Sequence, residues 1–332
     1  MGKKYVILGG GGSFGLITAD YLLKTSDCDS VINIGRNPAK SECFTLNIGK
    51  GDKRYSYHTY HITYEIDLLM EFLDKSRPDI IINYAAQGES AVSWKNAWRF
   101  FETNAVGLSR LVEMLMTRDY LERFIQISTS ELYGSAQSEP FLETSPLVPS
   151  SPYAASKAAF DMYLLSVSSV LKFPMHIIRP SNAYCPGQLL HRVIPRAILC
   201  GLTNKKLPLE GGGRAEKSYL HARDLAHAIY LVSQKARLGT VYNVGPDKAI
   251  SIKDLIEQIA SLMNIPFDSL CTIVPDRVGQ DARYWLDSSA IKKDLGWQPS
   301  ISLEAGLQEM ISWCKKYQNE LIQYPQIYQI RA

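Results

Sequence analysis

Tyr153 and Lys157 stand four residues apart at the start of a helical pattern, Tyr153-Ala154-Ala155-Ser156-Lys157. That spacing places both side chains on one helical face. A phenol titrates near ~10 and is a poor base at neutral pH. An ammonium one turn away favours the phenolate, and each unit of lowering needs ~1.4 kcal/mol of differential stabilisation. Earlier comes Ser128-Thr129-Ser130-Glu131-Leu132-Tyr133-Gly134, directly after the apolar run Phe124-Ile125-Gln126-Ile127. The run reads as a buried strand. It leaves a row of hydroxyls and one carboxylate, Glu131, beyond the strand's C-terminal end, where open α/β sheets bind ligands. A Tyr/Lys pair alone also suits an ordinary surface helix, so its weight depends on what the rest of the chain brings to it.

The N-terminus brings a glycine turn. Lys4 to Leu8 reads as a strand and Leu16 to Leu23 as a helix. Between them lie GxxGxxG (Gly9, Gly12, Gly15) and GxGxxG (Gly10, Gly12, Gly15), with Ser13 and Phe14 inside the turn. Strand, glycine turn and helix are the setting in which this fingerprint indicates a dinucleotide. Glycines let the backbone approach a pyrophosphate, whose charge meets the helix N-terminus. The second strand, Val31 to Ile34, ends in Gly35-Arg36-Asn37. A carboxylate there would hold the ribose 2′-hydroxyl of NAD, whereas Arg36 suits the 2′-phosphate of NADP. The sequence therefore favours NADP, with NAD as the alternative if Arg36 is merely solvated.

Further elements must position these groups. Tyr57 to Thr63 reads as the third strand and Ile66 to Lys75 as a helix. Residues 38–56 show no usable pattern. Asp79 to Asn83 forms the fourth strand and runs into Ala85-Ala86, a small-residue turn over which a cofactor can lie. Gln87 to Trp94 is a polar loop, and a long helix spans roughly 98–117. That helix holds Asn104, either a surface group or a structural hydrogen-bonding group behind the site. Pro146, Pro149 and Pro152 lead into the helix from Tyr153 to about Leu171, and Met175 to Ile178 is the sixth strand. The alternation predicts an α/β fold, a Rossmann-type doubly wound parallel sheet. After Asn182 it becomes irregular. The expected organisation is a dinucleotide-binding domain over 1–180 and a smaller mixed α/β substrate-binding lobe over 181–332. Residues 222–247, a helix to Lys235 and a strand at Val241 to Val244, should return to the first domain. Ser251 caps a helix to Met263, and Leu303 to Tyr317 is the last helix.

Composition excludes several classes. The chain has 332 residues, 46% hydrophobic, enough for a large core. Its 36 basic and 33 acidic residues leave a net charge of +3, with no polybasic block to bind nucleic acid or an anionic membrane. No apolar run approaches the ~20 residues of a membrane span. A strand starts almost at once, so no leader is expected. The six cysteines are scattered without a CxxC, as reduced thiols in a cytoplasmic protein would be. No His/Cys/carboxylate cluster has metal-ligand spacing. His221 and His227 read as packing or surface groups.

Taken together, the glycine turn, Ala85-Ala86, Ser128 to Gly134, Tyr153/Lys157 and Arg179-Pro180-Ser181-Asn182-Ala183-Tyr184 resemble the extended short-chain dehydrogenase/reductases that act on nucleotide sugars. Ser-Thr-Ser-Glu-Leu-Tyr-Gly, Ala86-Gln87 and Ala91-Val92-Ser93 look most like the GDP-mannose 4,6-dehydratases, and the C-terminal half resembles the dTDP-glucose 4,6-dehydratases. The resemblance implies that Tyr153 takes the proton from the sugar 4-hydroxyl while hydride passes from C4 to the nicotinamide. Lys157 tunes Tyr153 and holds the nicotinamide ribose, and Thr129 hydrogen-bonds the 4-oxygen. Glu131 removes the C5 proton, water leaves from C6, and hydride returns to C6. Gly9, Gly12, Ser13, Phe14, Gly15, Arg36, Ala85 and Ala86 would hold the cofactor together with Tyr153 and Lys157. Gln87, Glu89, Asn182, Lys217 and Arg283 would hold a nucleoside-diphosphate hexose.

The resemblance also shows departures. Ser130, which the resemblance groups with the catalytic residues, stands where the dTDP-glucose enzymes place an acid for the leaving hydroxyl, so elimination would run through Glu131 or a water. The histidine usual after the Ala-Ala turn is replaced near Glu89, and the usual acid after strand three by His61. The signature over 281–287 and 291–299 should close a lid over the nucleotide sugar. Family members pair through the helices near 98–117 and 151–171, which implies a homodimer or homotetramer. Rival readings are an epimerase, a 5,6-dehydratase or a 4-ketoreductase on the same scaffold, or a non-catalytic dinucleotide-binding module.

Overall fold

Seven strands line up as one parallel sheet. In the computed structural model, which describes residues 2–276 and 281–328, they are β1 (Lys3–Leu8), β2 (Cys28–Gly35), β3 (Tyr55–Thr59), β4 (Ile80–Asn83), β5 (Arg123–Ile127), β6 (Met175–Pro180) and β7 (Val241–Val244). Their spatial order is β3-β2-β1-β4-β5-β6-β7, and every pairing is parallel. The order reverses between β1 and β4. At such a switch the loops leaving the strands part and open a crevice at the carboxyl edge.

Both faces of the sheet are covered, which is why its central strands are mostly apolar. On one face Tyr5, Ile7, Ile80 and Ile82 meet Ala19 and Leu22 of α1 (Ser13–Leu23) and Ala228 and Val232 of the helix Ala222–Lys235. On the other, Val6, Ile81 and Phe124 meet Leu69, Leu111 and Leu164 from the helices Ile66–Ser76, Leu108–Leu115 and α2 (Pro152–Leu171). Ser151 caps α2 by accepting from the Ala154 amide at 3.2 Å, with Pro152 at the first helical position.

Beyond β6 a second core forms between the helices Val193–Leu202, Ile252–Met263 and Leu303–Lys316. Short strands join it: Leu207–Glu210 pairs with Cys271–Val274, and Glu216–Lys217 pairs with both Ile250–Ser251 and Arg283–Tyr284. The Ser251 hydroxyl accepts from the Asp254 amide at 2.9 Å, capping its helix as expected. All six cysteines are free and buried. Among the described residues no helix is long and apolar enough to cross a membrane, and no cluster of metal-ligating side chains occurs.

Three expectations change. The third strand is Tyr55–Thr59, earlier than Tyr57 to Thr63, because pairing with β2 ends at Gly35 opposite Thr59. The long helix is unbroken but not α-helical throughout. Ala97–Phe101 and Leu108–Leu115 are α-helical, and a π-helical turn, Glu102–Gly107, lies between them. The segment around 291–297 is not a lid. Ile291 and Trp297 are fully buried in the core under the sheet, and Trp297 Nε1 donates to the Asp224 carbonyl at 3.0 Å. Burying those two apolar side chains holds the segment against the first domain.

Candidate active site

The ends of five strands open onto one cavity of about 480 Å³. β1 delivers Gly9, Gly12, Ser13, Phe14 and Gly15; the turn after β4 delivers Ala86, Gln87 and Glu89; β5 delivers Thr129, Ser130 and Glu131; β6 delivers Asn182. Tyr153 and Lys157 reach it from α2, Arg36 from the end of β2, and Lys217 from the second lobe. Ala85 lines an adjoining cavity together with Ala86, Arg36 and His61. The glycine turn, the phenol and the carboxylate thus face a common space. Arg283 does not line it. Its Nε meets Glu216 Oε2 at 2.5 Å, and its guanidinium lies over Trp285. The expected phosphate contact therefore sits in an ion pair, because Glu216 is its direct partner across paired strands.

Lys157 is buried, and its Nζ donates to the Ile127 carbonyl at 2.7 Å. Burial pushes the ammonium down to about 8, and Asp161 opposes that shift. Asp161 is itself buried against Arg179 at 3.1 Å and accepts from Ser128 Oγ at 2.9 Å. The Tyr153 ring is edge-on to the buried Phe100. Its phenol is pushed up, first by burial and then by the Glu131 charge; Arg192 and a hydrogen bond with Thr129 act the other way. A lowered phenol was expected from Lys157, but in the chain itself the low-dielectric surroundings outweigh any help from that ammonium.

Glu131 follows Thr129, whose Oγ1 accepts from the Glu131 amide at 3.2 Å and caps a short 3₁₀ turn, Ser130–Tyr133. Ser90 Oγ donates to Glu131 Oε2, and Ser151 Oγ donates to Ser90 Oγ at 3.3 Å. The residue that caps the Tyr153 helix is thereby linked to the carboxylate. Asn104 lies behind the site. Its Oδ1 accepts from the Gln87 amide at 2.7 Å, and its Nδ2 donates to the Gln87 carbonyl and to Ser156 Oγ, both at 3.0 Å. The π-helical turn is the backbone device that carries it, a common location for functional irregularity.

Glu89 takes φ 83°, a left-handed conformation that costs a non-glycine residue roughly 1–3 kcal/mol. Its carboxylate meets His191 Nε2 at 3.3 Å and Arg192 Nη1 at 3.6 Å. An imidazole therefore stands beside Glu89 after all, supplied by His191.

The residues fit a dinucleotide. Gly9 has φ 75°, and a Cβ on it would come within 2.6 Å of the Ala85 amide nitrogen; one on Gly15 would come within 2.8 Å of Gly10 Cα. Only glycine allows the turn to close against Ala85 and α1 to start there. The first turn of α1 carries no acidic side chain, so its amide end is open to an anion.

The family model described as GDP-mannose 4,6 dehydratase matches residues 6–310. The chain belongs to that family. A dTDP-glucose 4,6-dehydratase of Haemophilus influenzae is 33% identical over 328 residues, 93% of this chain and 96% of that one. A trifunctional UDP-glucose 4,6-dehydratase/UDP-4-keto-6-deoxy-D-glucose 3,5-epimerase/UDP-4-keto-L-rhamnose-reductase of Arabidopsis thaliana is 29% identical over 314 residues. That match covers 94% of this chain but 47% of the plant protein. The crystal structure of a Streptomyces venezuelae dTDP-glucose 4,6-dehydratase with NAD bound superposes with a TM-score of 0.88 at 29% identity, covering 95% and 98% of the two chains.

For this member of the GDP-mannose 4,6 dehydratase family, the motif order led to the right family and fold. It missed Ser90, His191, Arg192 and Tyr328, which share the cavity or touch its lining. His191 and Arg192 follow the loop signal Pro186-Gly187-Gln188, and nothing in their spacing points back to Glu89.

Proposed function

We propose that Thr129, Glu131, Tyr153 and Lys157 carry out the 4,6-dehydration of a nucleoside-diphosphate hexose in this cavity. Nucleotide-sugar 4,6-dehydration is the reaction of the chain, and the observation that carries its assignment to these residues is the placing of Glu131 and Tyr153 on one cavity. A nicotinamide dinucleotide held over the glycine turn would supply the acceptor for the C4 hydride and the donor of the same hydride to C6. Tyr153, as the phenolate that a bound cationic nicotinamide together with Lys157 would favour over the raised value of the chain alone, accepts the 4-hydroxyl proton as the C4 carbonyl forms, and Thr129 hydrogen-bonds the same oxygen. Lys157, held on the Ile127 carbonyl, lines the same cavity one helical turn from that residue. The ketone acidifies C5–H, and Glu131 takes that proton. The C5–H electron pair becomes the C5=C6 double bond as the C6–O bond breaks. Glu131 then hands the proton to the departing oxygen, so water leaves and the carboxylate is restored. Hydride addition at C6 leaves an enolate that takes a proton at C5 from solvent, and Tyr153 gives its proton back to solvent. Ser130 supplies no acid, which is why one carboxylate serves both steps. Ser90 holds Oε2 of Glu131 and fixes the side chain for that transfer.

The cofactor assigned is NADP. Gly35-Arg36-Asn37 offers no carboxylate after β2, and Arg36 and Lys40 line both cavities. A cationic pair suits a 2′-phosphate. NAD, held by the Streptomyces venezuelae enzyme, is the alternative. Gln87, Glu89, Asn182 and Lys217 are assigned to the sugar nucleotide. The names of the relatives carry two bases, dTDP and UDP, and the family name a third, so the assignment stops at the nucleoside-diphosphate hexose. Exposed Trp98, Phe101, Met162, Val170 and Leu171 on Ala97–Phe101 and α2 support a homodimer through those helices. Incubation with dTDP-glucose, UDP-glucose and GDP-mannose tests the activity. A product lighter by one water agrees with dehydration, and an isomer of unchanged mass with epimerisation.

A further inference from the structure

The last described residues return to the cavity. After the helix Leu303–Lys316 the chain makes a short turn of helix, Gln318–Leu321, and runs on to Tyr328. Along the way it is fastened to the segment after β2. Trp313 Nε1 donates to the Cys43 carbonyl at 2.7 Å, and the Tyr317 hydroxyl donates to Glu42 Oε1 at 3.1 Å. Leu321 is fully buried in the second core. The Tyr324 ring stands edge-on to Phe44, with centroids 4.8 Å apart, and its hydroxyl lies 2.9 Å from Ser41 Oγ.

Past these fastenings Tyr328 becomes part of the cavity wall. Its hydroxyl donates to Gln87 Oε1 at 3.3 Å, and its ring stands edge-on to His191 at 5.0 Å. It is half-buried although Ile327 beside it is 76% exposed, so the chain turns this one side chain inward. The charges of Glu89, Arg192 and Arg36 all act on the phenol. Of its neighbours, Gln87 and Glu89 are assigned above to the sugar nucleotide, and His191 and Arg192 meet Glu89; Arg36 alone belongs to the cofactor side.

We propose that Tyr328 is a substrate-positioning residue, delivered to the hexose by a C-terminal strap fastened on Ser41–Phe44. An aromatic ring with a hydroxyl at its tip presents an apolar face and a hydrogen-bonding group together, the combination that a sugar ring with its hydroxyls requires. The inference rests on the reading of this cavity as a nucleotide-sugar site.

Two variants separate the strap from its tip. Tyr328→Ala removes the ring from the cavity, and Tyr324→Ala leaves Tyr328 intact but releases the fastening on Phe44 and Ser41. Both are compared with the unsubstituted chain for kcat and KM with dTDP-glucose, UDP-glucose and GDP-mannose, for NADP affinity by fluorescence titration, and for Tm. Both should raise KM about tenfold, leave kcat within about twofold, and leave NADP affinity unchanged, the pattern of a contact made equally in ground and transition states. Tyr328→Phe should fall between. Unchanged KM in Tyr328→Ala would overturn the proposal, as would weakened NADP binding with KM intact. An effect of Tyr328→Ala without one of Tyr324→Ala would overturn the strap. If the unsubstituted chain turns over none of the three sugars, calorimetric titration of the same variants with them still decides whether Tyr328 contacts a nucleotide sugar, and unchanged affinity in Tyr328→Ala would overturn the proposal.

Discussion

Lys157 Nζ lies 2.7 Å from the carbonyl oxygen of Ile127, the last residue of β5. That single contact ties the helix carrying Tyr153 to the strand whose continuation carries Thr129 and Glu131. Because the ammonium is buried, it titrates at about 8 instead of the usual 10.5.

The shift has a definite sign. Below about pH 8 folding buries a charge that the unfolded chain leaves in water. Between the two values the unfolded chain holds the proton and the folded one does not, so stability rises with pH across that window. Lys157→Met removes the effect. The Tm of the variant minus that of the parent, measured without cofactor, should fall from about pH 7 to about pH 10; a difference that grows would contradict the burial argument. Turnover by the variant should drop at least ~10²-fold.

Glu131→Gln keeps size and hydrogen bonding but removes the base. Substrate addition should still raise the absorbance of reduced cofactor in a single turnover. Water loss should slow by about 10²–10⁴-fold, the range of a lost general acid–base group. Normal product formation would remove Glu131 from the mechanism.

Asn104→Ala leaves the buried Gln87 amide and carbonyl without the partner that satisfies both. The expected loss is about 2 kcal/mol, from the cost of unsatisfied buried polar groups. Chemical denaturation measures it. KM for the sugar nucleotide should rise with it, since Gln87 and Glu89 belong to the freed loop.

How far the sequence led is visible in these residues. The glycine turn, β5 and the Tyr153 helix were legible because hydrophobic period and spacing determine them locally. The sequence leaves the role of Asn104 open because a π-helical turn has no signature in the amphipathic pattern around it. Arg283 was expected on phosphate and is on Glu216; the pairing of their strands decides that, and strand pairing is not a local property. His191 and Tyr328 reach the cavity from loops distant in sequence, so only the folded chain brings them to Glu89 and Gln87. The segment with Ile291 and Trp297 read as a lid by likeness, yet its two buried side chains were the stronger signal.

Arg36→Gln tests the cofactor. NADP affinity should fall at least ~10-fold while NAD affinity changes little, because the arginine fork acts on a phosphate that NAD lacks. Equal losses for both dinucleotides would contradict the assignment.

The most direct test follows one hydrogen. The turned-over nucleotide hexose is supplied with deuterium at C4, and the product is analysed by mass spectrometry and NMR. The account predicts a product lighter by one water that carries the deuterium at C6. Deuterium remaining at C4 in a product of unchanged mass, or lost to solvent, would contradict it.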